Sequence, residues 1–285
     1  LEDERGDGVQ TIRGPEDFAA AFGVPQETID RLIVYEKLLR QWQKAVNLVA
    51  PSTLDAVWHR HFADSAQLVP LAPADTRSWI DLGSGAGFPG MVAAIVMAGA
   101  PQVVPSKLGE ARAPTSPPPV WGRDRVGGIA EHPTSGVPPP LTPPHKGEGN
   151  PLVPGTSASA GPFPRFTLIE SDARKCAFLR EVARQTGVAV DILSTRAESA
   201  RTSVNKALPR TVSARALAPL VKLLELAQPL SPPGTTLLLL KGREAAGELQ
   251  EAESCWRFQV ALVQSVTDRN GRVAVITNLE RKTKD

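Results

Sequence analysis

Between residues 25 and 46 the apolar side chains Ile29, Leu32, Ile33, Leu38, Leu39, Trp42 and Val46 recur about every 3.6 residues, which predicts an amphipathic helix. A shorter helix precedes it, opened by Pro15-Glu16-Asp17-Phe18 and stopped near Gly23. A third follows the break at Asn47-Leu48-Val49-Ala50, starts after Pro51-Ser52-Thr53 and runs through Trp58 to Leu68. Pro70, Pro73 and Asp75 mark a linker, and beyond it the pattern changes. Trp79-Ile80-Asp81-Leu82 is a short apolar run ending at an acid, followed by a glycine-rich turn and a helix over residues 89–97. Strands are predicted at 165–170, 188–193, 211–217, 235–242, 256–266 and 272–278. Helices are predicted at 172–185, 219–230 and about 244–253. The run Leu237-Leu238-Leu239-Leu240 lacks alternation, so that strand is expected to be buried on both faces. Strands alternating with helices imply an α/β fold: a mostly parallel sheet with helices on both faces, preceded by N-terminal helices.

One stretch does not fit. Residues 101–164 hold more than half of the chain's 27 prolines, including Pro117-Pro118-Pro119 and Pro138-Pro139-Pro140, and show no apolar periodicity. Such a segment cannot bury enough apolar area to offset its ordering entropy. Helix-to-strand loops in α/β units usually run about 2–6 residues. The segment is therefore expected to be a disordered, Pro-rich insertion, leaving on the face away from any ligand and tolerated by the fold. The expected organisation is a flexible tail at 1–14, an N-terminal helical region at 15–75, and one domain formed by 76–100 and 165–285.

Composition adds a little. With 41% hydrophobic and 22% charged residues the chain reads as an ordinary globular protein. A net charge of +2 permits nucleic acid without requiring it. No run of about 18 apolar residues predicts a membrane span. The acidic, polar start is unlike a secretory leader, and Cys176 and Cys255 stand apart without metal-ligand neighbours. A cytoplasmic protein without a bound metal is expected.

The candidate site is the turn Gly83-Ser84-Gly85-Ala86-Gly87-Phe88-Pro89-Gly90, where a backbone can press against a ligand. Gly85, Gly87 and Gly90 fit the dinucleotide spacing, so an NAD-type oxidoreductase is one reading. In α/β sheets ligands lie at the C-terminal strand ends. Those ends carry Asp81, Glu170, Ala197-Glu198, Arg215 and Lys241. Glu170 could accept from both ribose hydroxyls of a nucleoside, and Ala197-Glu198 could edge its base, although Glu198 could equally be a helix-start acid. Arg215, inside an apolar strand end, requires an anionic partner. His59-Arg60-His61-Phe62-Ala63-Asp64-Ser65 reads either as a solvated helix face or as the lip of this site.

The pattern Asp81-x-Gly83-x-Gly85-x-Gly87 resembles motif I of class I S-adenosylmethionine-dependent methyltransferases. Asn47-Leu48, Arg60 to Ser65, the Gly-Phe-Pro-Gly ending of the turn, Ser213-Ala214-Arg215-Ala216 and Leu240-Lys241-Gly242 narrow it. Over about 25–100 and 165–280 the chain is similar to the RsmG (GidB) family of bacterial 16S ribosomal RNA methyltransferases. The resemblance implies a Rossmann-like, seven-stranded sheet with an antiparallel ending. It also implies methyl transfer to N7 of one guanine, with cofactor contacts at Gly83, Phe88, Ala197, Glu198 and Arg215. Gly85 and Glu170 join these from the reading above. The acid of the motif would help hold the cofactor ammonium through water or the turn backbone. A small ribosomal subunit or its precursor would be the substrate of a monomeric enzyme, met by Arg60, His61 and Lys241, with Arg243, Arg281, Lys282 and Lys284 nearby.

The absences agree with this. The Asn/Asp-Pro-Pro-Tyr/Phe motif of exocyclic-amine methyltransferases is missing, and neither cysteine is placed near a strand's C-terminal end to serve as a nucleophile. Guanine N7 bears a lone pair and no proton, so no catalytic acid or base is assigned. A small-molecule methyltransferase is the remaining alternative, although the polar 58–65 helix supplies no apolar lid.

Overall fold

The computed structural model describes residues 11–99, 163–202 and 210–283. The expected insertion therefore lies outside the described residues except for Phe163 and Pro164, as do residues 1–10 of the expected tail. The chain opens with α1 (Pro15–Phe22) and α2 (Gln26–Trp42), which bury Phe18, Ile29, Leu32, Tyr35, Leu38 and Leu39. The expected third helix is replaced by three short pieces. These are a 3₁₀ turn at Pro51–Thr53, a π-helix at Trp58–Ala63, and the single α-turn α3 (Asp64–Ala66). The wider π turn accompanies a tertiary demand, since the Arg60 carbonyl accepts a hydrogen bond from Arg215 at 3.0 Å.

The sheet follows. β1 (Ser78–Leu82) leads through the glycine turn into α4 (Gly90–Gly99). Then come β2 (Arg165–Glu170), α5 (Ala173–Thr186), β3 (Val190–Ser194) and a 3₁₀ segment at Ala197–Thr202. β4 (Arg210–Arg215), α6 (Leu220–Ala227), β5 (Thr236–Lys241), α7 (Ala245–Glu253), β6 (Trp256–Gln264) and β7 (Arg272–Arg281) complete it. α5 begins where Asp172 accepts from the Arg174 and Lys175 amides and stops at Gly187.

The seven strands lie in the order β3-β2-β1-β4-β5-β7-β6, with the first five parallel and β7 antiparallel to both neighbours. Strand alternation sends Trp79, Leu168, Leu238 and Leu240 into one core with α1, α2, α4 and α5. Ile80, Ile169, Leu237 and Leu239 enter the other with α6 and α7. This is the Rossmann-like, mostly parallel seven-stranded sheet with an antiparallel ending expected from the sequence. Chain order reverses about β1, whose C-terminal end opens between β2 and β4, the place where open α/β sheets bind ligands.

Candidate active site

The turn after β1 is tied on three sides. The Ser84 amide donates to the Ile169 carbonyl at 3.0 Å, which locks the turn to β2. The Gly85 amide donates to Glu170 Oε2 at 2.8 Å, while the Asp172 amide donates to Oε1 of the same carboxylate at 2.8 Å. From the N-terminal region, the buried Tyr35 hydroxyl donates to the Ala86 carbonyl. Its ring stacks with Phe88 at 5.5 Å, and Phe88 stacks with His61 at 4.8 Å. The N-terminal helices are thus a wall of the site. Burial also pushes the Tyr35 phenol well above its ordinary value.

Above the turn lies a cleft of about 550 Å³, lined by Gly83, Gly85, Phe88, Glu170, Ala197, Glu198 and Arg215 among others. All seven cofactor positions expected from the sequence come together there. The size suits a nucleoside-sized ligand, for which pockets of about 300–1,000 Å³ are usual. The residues fit such a group at a specific point. A Cβ on Gly85 would meet nothing nearer than the Gly83 carbonyl at 3.8 Å, so the turn leaves open room where a ligand would lie. Gly85 also has φ +58°, a conformation glycine adopts without steric penalty.

Asp81 is fully buried behind the turn, with Oδ1 accepting from Ser213 Oγ at 2.6 Å, so any part it has in holding a ligand is indirect, as the resemblance implies. Ser213 in turn accepts from Trp79 Nε1 at 2.9 Å, and Asp81 Oδ2 has no hydrogen-bond partner among the described residues. Burial outweighs these bonds and pushes the Asp81 carboxyl up to about 6. Other expectations are corrected. Lys241, expected to meet RNA, has a side chain only 7% exposed, paired with Glu248 at 2.6 Å. Glu248 on α7 claims it, with the Ala218 carbonyl at 3.3 Å as a second acceptor. His61 is likewise turned inward, with Nε2 at 2.8 Å from Thr53 Oγ1 and Nδ1 at 2.9 Å from Arg215. Arg60 remains half-exposed, 3.8 Å from Asp268. Arg215 finds its anion within the chain, Asp64 at 3.2 Å, and its guanidinium lies 4.9 Å from the Phe88 ring centre. Lys284 is outside the described residues.

Cys176 does lie under a strand's C-terminal end, against expectation, because the first turn of α5 folds back beneath β2. Its thiol donates to the Glu170 carbonyl at 3.3 Å. It is buried, and burial raises the thiol above its ordinary value, so it is no nucleophile. Among the described residues no three His, Cys, Asp or Glu side chains form a metal site, and no helix is long and apolar enough to cross a membrane.

The family described as GidB, rRNA small subunit methyltransferase G, matches residues 28–104 and 147–275. The chain belongs to the GidB family. The ribosomal RNA small subunit methyltransferase G of Rhodospirillum centenum is 41% identical over 92% of this chain and 90% of its own length. That of Parvibaculum lavamentivorans is 37% identical over 93% and 89%. Among solved structures, the fibrillarin of Aeropyrum pernix with bound S-adenosyl-L-methionine aligns with a TM-score of 0.42 at 10% identity, covering 77% of this chain and 75% of that one.

For this GidB chain the family decides between two readings that spacing left open. Gly90 packs against Asp81 and Leu168, where a Cβ would sit 2.5 Å from each, and close helix–strand packing is what either kind of glycine turn requires. Glu170 serves the turn and the cleft at once, since each carboxylate oxygen holds a backbone amide and keeps a further lone pair for a ligand. Glu170→Gln replaces one of those acceptors by an NH₂ facing an N–H. We expect the GidB fold to survive and affinity for S-adenosylhomocysteine, measured by calorimetry, to fall about 10–100-fold. Unchanged affinity would remove Glu170 from the site.

Proposed function

We propose that this chain methylates N7 of a specific guanine in 16S ribosomal RNA, using S-adenosyl-L-methionine held in the cleft above the glycine turn. The observation that carries this reading is the chemistry of the cleft lining. Among the described residues its carboxylates are Glu170, with both oxygens on backbone amides, and Glu198; these residues present no histidine and no thiol to the cleft. The lining also holds the hydroxyls of Ser84, Ser171 and Thr195 and the amine of Lys175, and among the described residues none of them is hydrogen-bonded to a base that would activate it as a nucleophile. Guanine N7 needs neither base nor covalent nucleophile, because its lone pair lies in the ring plane and no proton leaves. S-adenosylmethionine, when bound, supplies an electrophilic methyl group on a sulfonium.

The residues of the chain then bind, orient and exclude water, the contributions that dominate when no proton moves. The Gly85 turn wraps the methionyl end, Glu170 holds the ribose, Ala197 and Glu198 edge the adenine, and Phe88 with Arg215 forms the wall on the β4 side. Arg60, half-exposed beside Arg215, is the RNA contact we retain from the sequence. Lys241 and His61 support the site from inside. We read the enzyme as a cytoplasmic monomer acting on the small subunit or its precursor; two free cysteines accord with a reducing compartment.

The test is transfer of labelled methyl to small subunits lacking the modification, followed by cleavage specific for N7-methylguanosine. Label at one guanine is the expected result. Cofactor binding without transfer to any guanine of the subunit would overturn the RNA assignment.

A further inference from the structure

Arg215 stands at the cleft with a side chain 19% exposed, held by acceptors from the π-helix and the turn after it. Its Nη1 donates to the Arg60 carbonyl at 3.0 Å and to Asp64 Oδ2 at 3.2 Å, and its Nη2 faces His61 Nδ1 at 2.9 Å. A guanidinium only donates, so that last contact is a hydrogen bond only if Nδ1 carries no proton. The other end of the ring fixes this independently. Thr53 Oγ1 donates its single proton to the Ala50 carbonyl at 2.8 Å, so it meets His61 Nε2 as an acceptor, also at 2.8 Å. Nε2 must therefore be protonated and Nδ1 bare. The chain of bonds from Ala50 to Arg215 has one self-consistent direction, and both ends require the same tautomer.

We propose that Thr53 and His61 are positioning residues that act by locking the neutral Nε2–H tautomer, so that His61 holds the Arg215 guanidinium in place at the cleft. The lock rests on the reading that the cleft binds S-adenosylmethionine. A proton on Nδ1 would set donor against donor and release Arg215. The surroundings oppose that proton: His61 is 7% exposed, and burial together with the charges of Arg215 and Arg60 brings its value down to about 3. The imidazole also stacks with Phe88, which lines the cleft, so ring and acceptor are separable contributions.

That separation supplies the test, using the full chain and S-adenosylhomocysteine binding by calorimetry. His61→Phe keeps a stacking ring and removes the acceptor; affinity is expected to fall about 10-fold. His61→Asn loses the ring, but its amide oxygen reaches the Nδ1 position, so affinity should stay within about 3-fold of the parent. Nitrogen-resolved NMR of the cofactor-free parent should show the Nε2–H tautomer from pH 5 to pH 8. Thr53→Val leaves Nε2–H without its acceptor and only Arg215 to select the tautomer, so affinity should fall, and Thr53→Ser should restore it. An Nδ1–H signal in the parent, parental affinity in His61→Phe, or equal losses in the Phe and Asn variants would each overturn the proposal. A parent that binds no S-adenosylhomocysteine yet shows the single tautomer would overturn the cofactor reading alone and leave the lock supported.

Discussion

Replacing Gly87 by alanine is expected to destabilise the protein by about 2–5 kcal/mol, whereas Gly85→Ala, two residues away, should lose only about 1–2 kcal/mol and remain folded. Both glycines have positive φ, +94° and +58°, so both alanines incur backbone strain. They differ in what surrounds the new methyl. At Gly87 it would strike the Tyr35 hydroxyl, lie 2.8 Å from Met91 Cβ and 3.0 Å from Leu179 Cδ2. Met91 Cβ is fixed to α4 and cannot yield without moving the helix, while the Tyr35 hydroxyl and Leu179 Cδ2 are buried side-chain ends that yield only by giving up the bond to Ala86 or repacking the core. At Gly85 the nearest atom is 3.8 Å away. The methyl there occupies ligand space, and affinity for S-adenosylhomocysteine should fall about 10-fold or more. Urea unfolding and calorimetry on the two variants read out the contrast. If Gly87→Ala were as stable as Gly85→Ala, the turn would not be clamped by the N-terminal helices as described.

Asp81→Asn should make the protein's stability less dependent on pH. The Asp81 carboxyl is pushed from 3.8 up to about 6 in the folded state, chiefly by burial. The folded protein therefore binds this proton more tightly than the unfolded chain does. Its contribution is fully present below pH 3.8 and is lost as pH rises through about 6, a change of about 3 kcal/mol by pH 7.5. Asparagine does not titrate. The stability of Asp81→Asn minus that of the parent should climb by about 3 kcal/mol between pH 4 and pH 7.5. The amide leaves buried donors without acceptors, at a cost of about 1–3 kcal/mol that is the same at every pH. The slope is thus the diagnostic quantity, and a flat difference across urea melts would show that Asp81 keeps its ordinary value.

The sheet was legible because its signals are local. Short apolar runs, an acid or glycine at the ends of β1, β2 and β5 and Gly187 after α5 mark the elements, and β5 reads as doubly buried from four leucines in a row. The cofactor positions were legible for the same reason, since strand ends converge once the sheet is parallel. Polar side chains were harder. Whether Lys241 faces solvent depends on Glu248, seven residues on across a turn, and nothing in the residue type reveals that Glu248 bends back to it. His61 and Arg215 are partners across 154 positions. Tyr35 stood outside the apolar spacing that marked α2, yet its hydroxyl meets a carbonyl 51 positions away. The π-helix was invisible because one wide turn leaves the apolar spacing of Trp58, Phe62 and Ala66 looking α-helical. Cys176 could have been found, since the sixth residue after a strand end falls on the returning first turn of a helix.

The aromatic wall joins residues that leave the ribosome far apart in time. Tyr35 lies 5.5 Å from Phe88 but also 6.1 Å from Phe178, and Trp42 reaches Phe178 at 5.8 Å. All the residues between Phe88 and Phe178, the proline-rich stretch included, must be synthesised before that wall can close. At roughly 5–20 residues per second, the part of α2 that packs on Phe178 stays uncovered for several seconds of every round of synthesis. Each newly made chain thus passes through a sticky, half-built stage whose duration is set by the length of the stretch between two phenylalanines. Shortening that stretch is expected to shorten the delay before the wall closes.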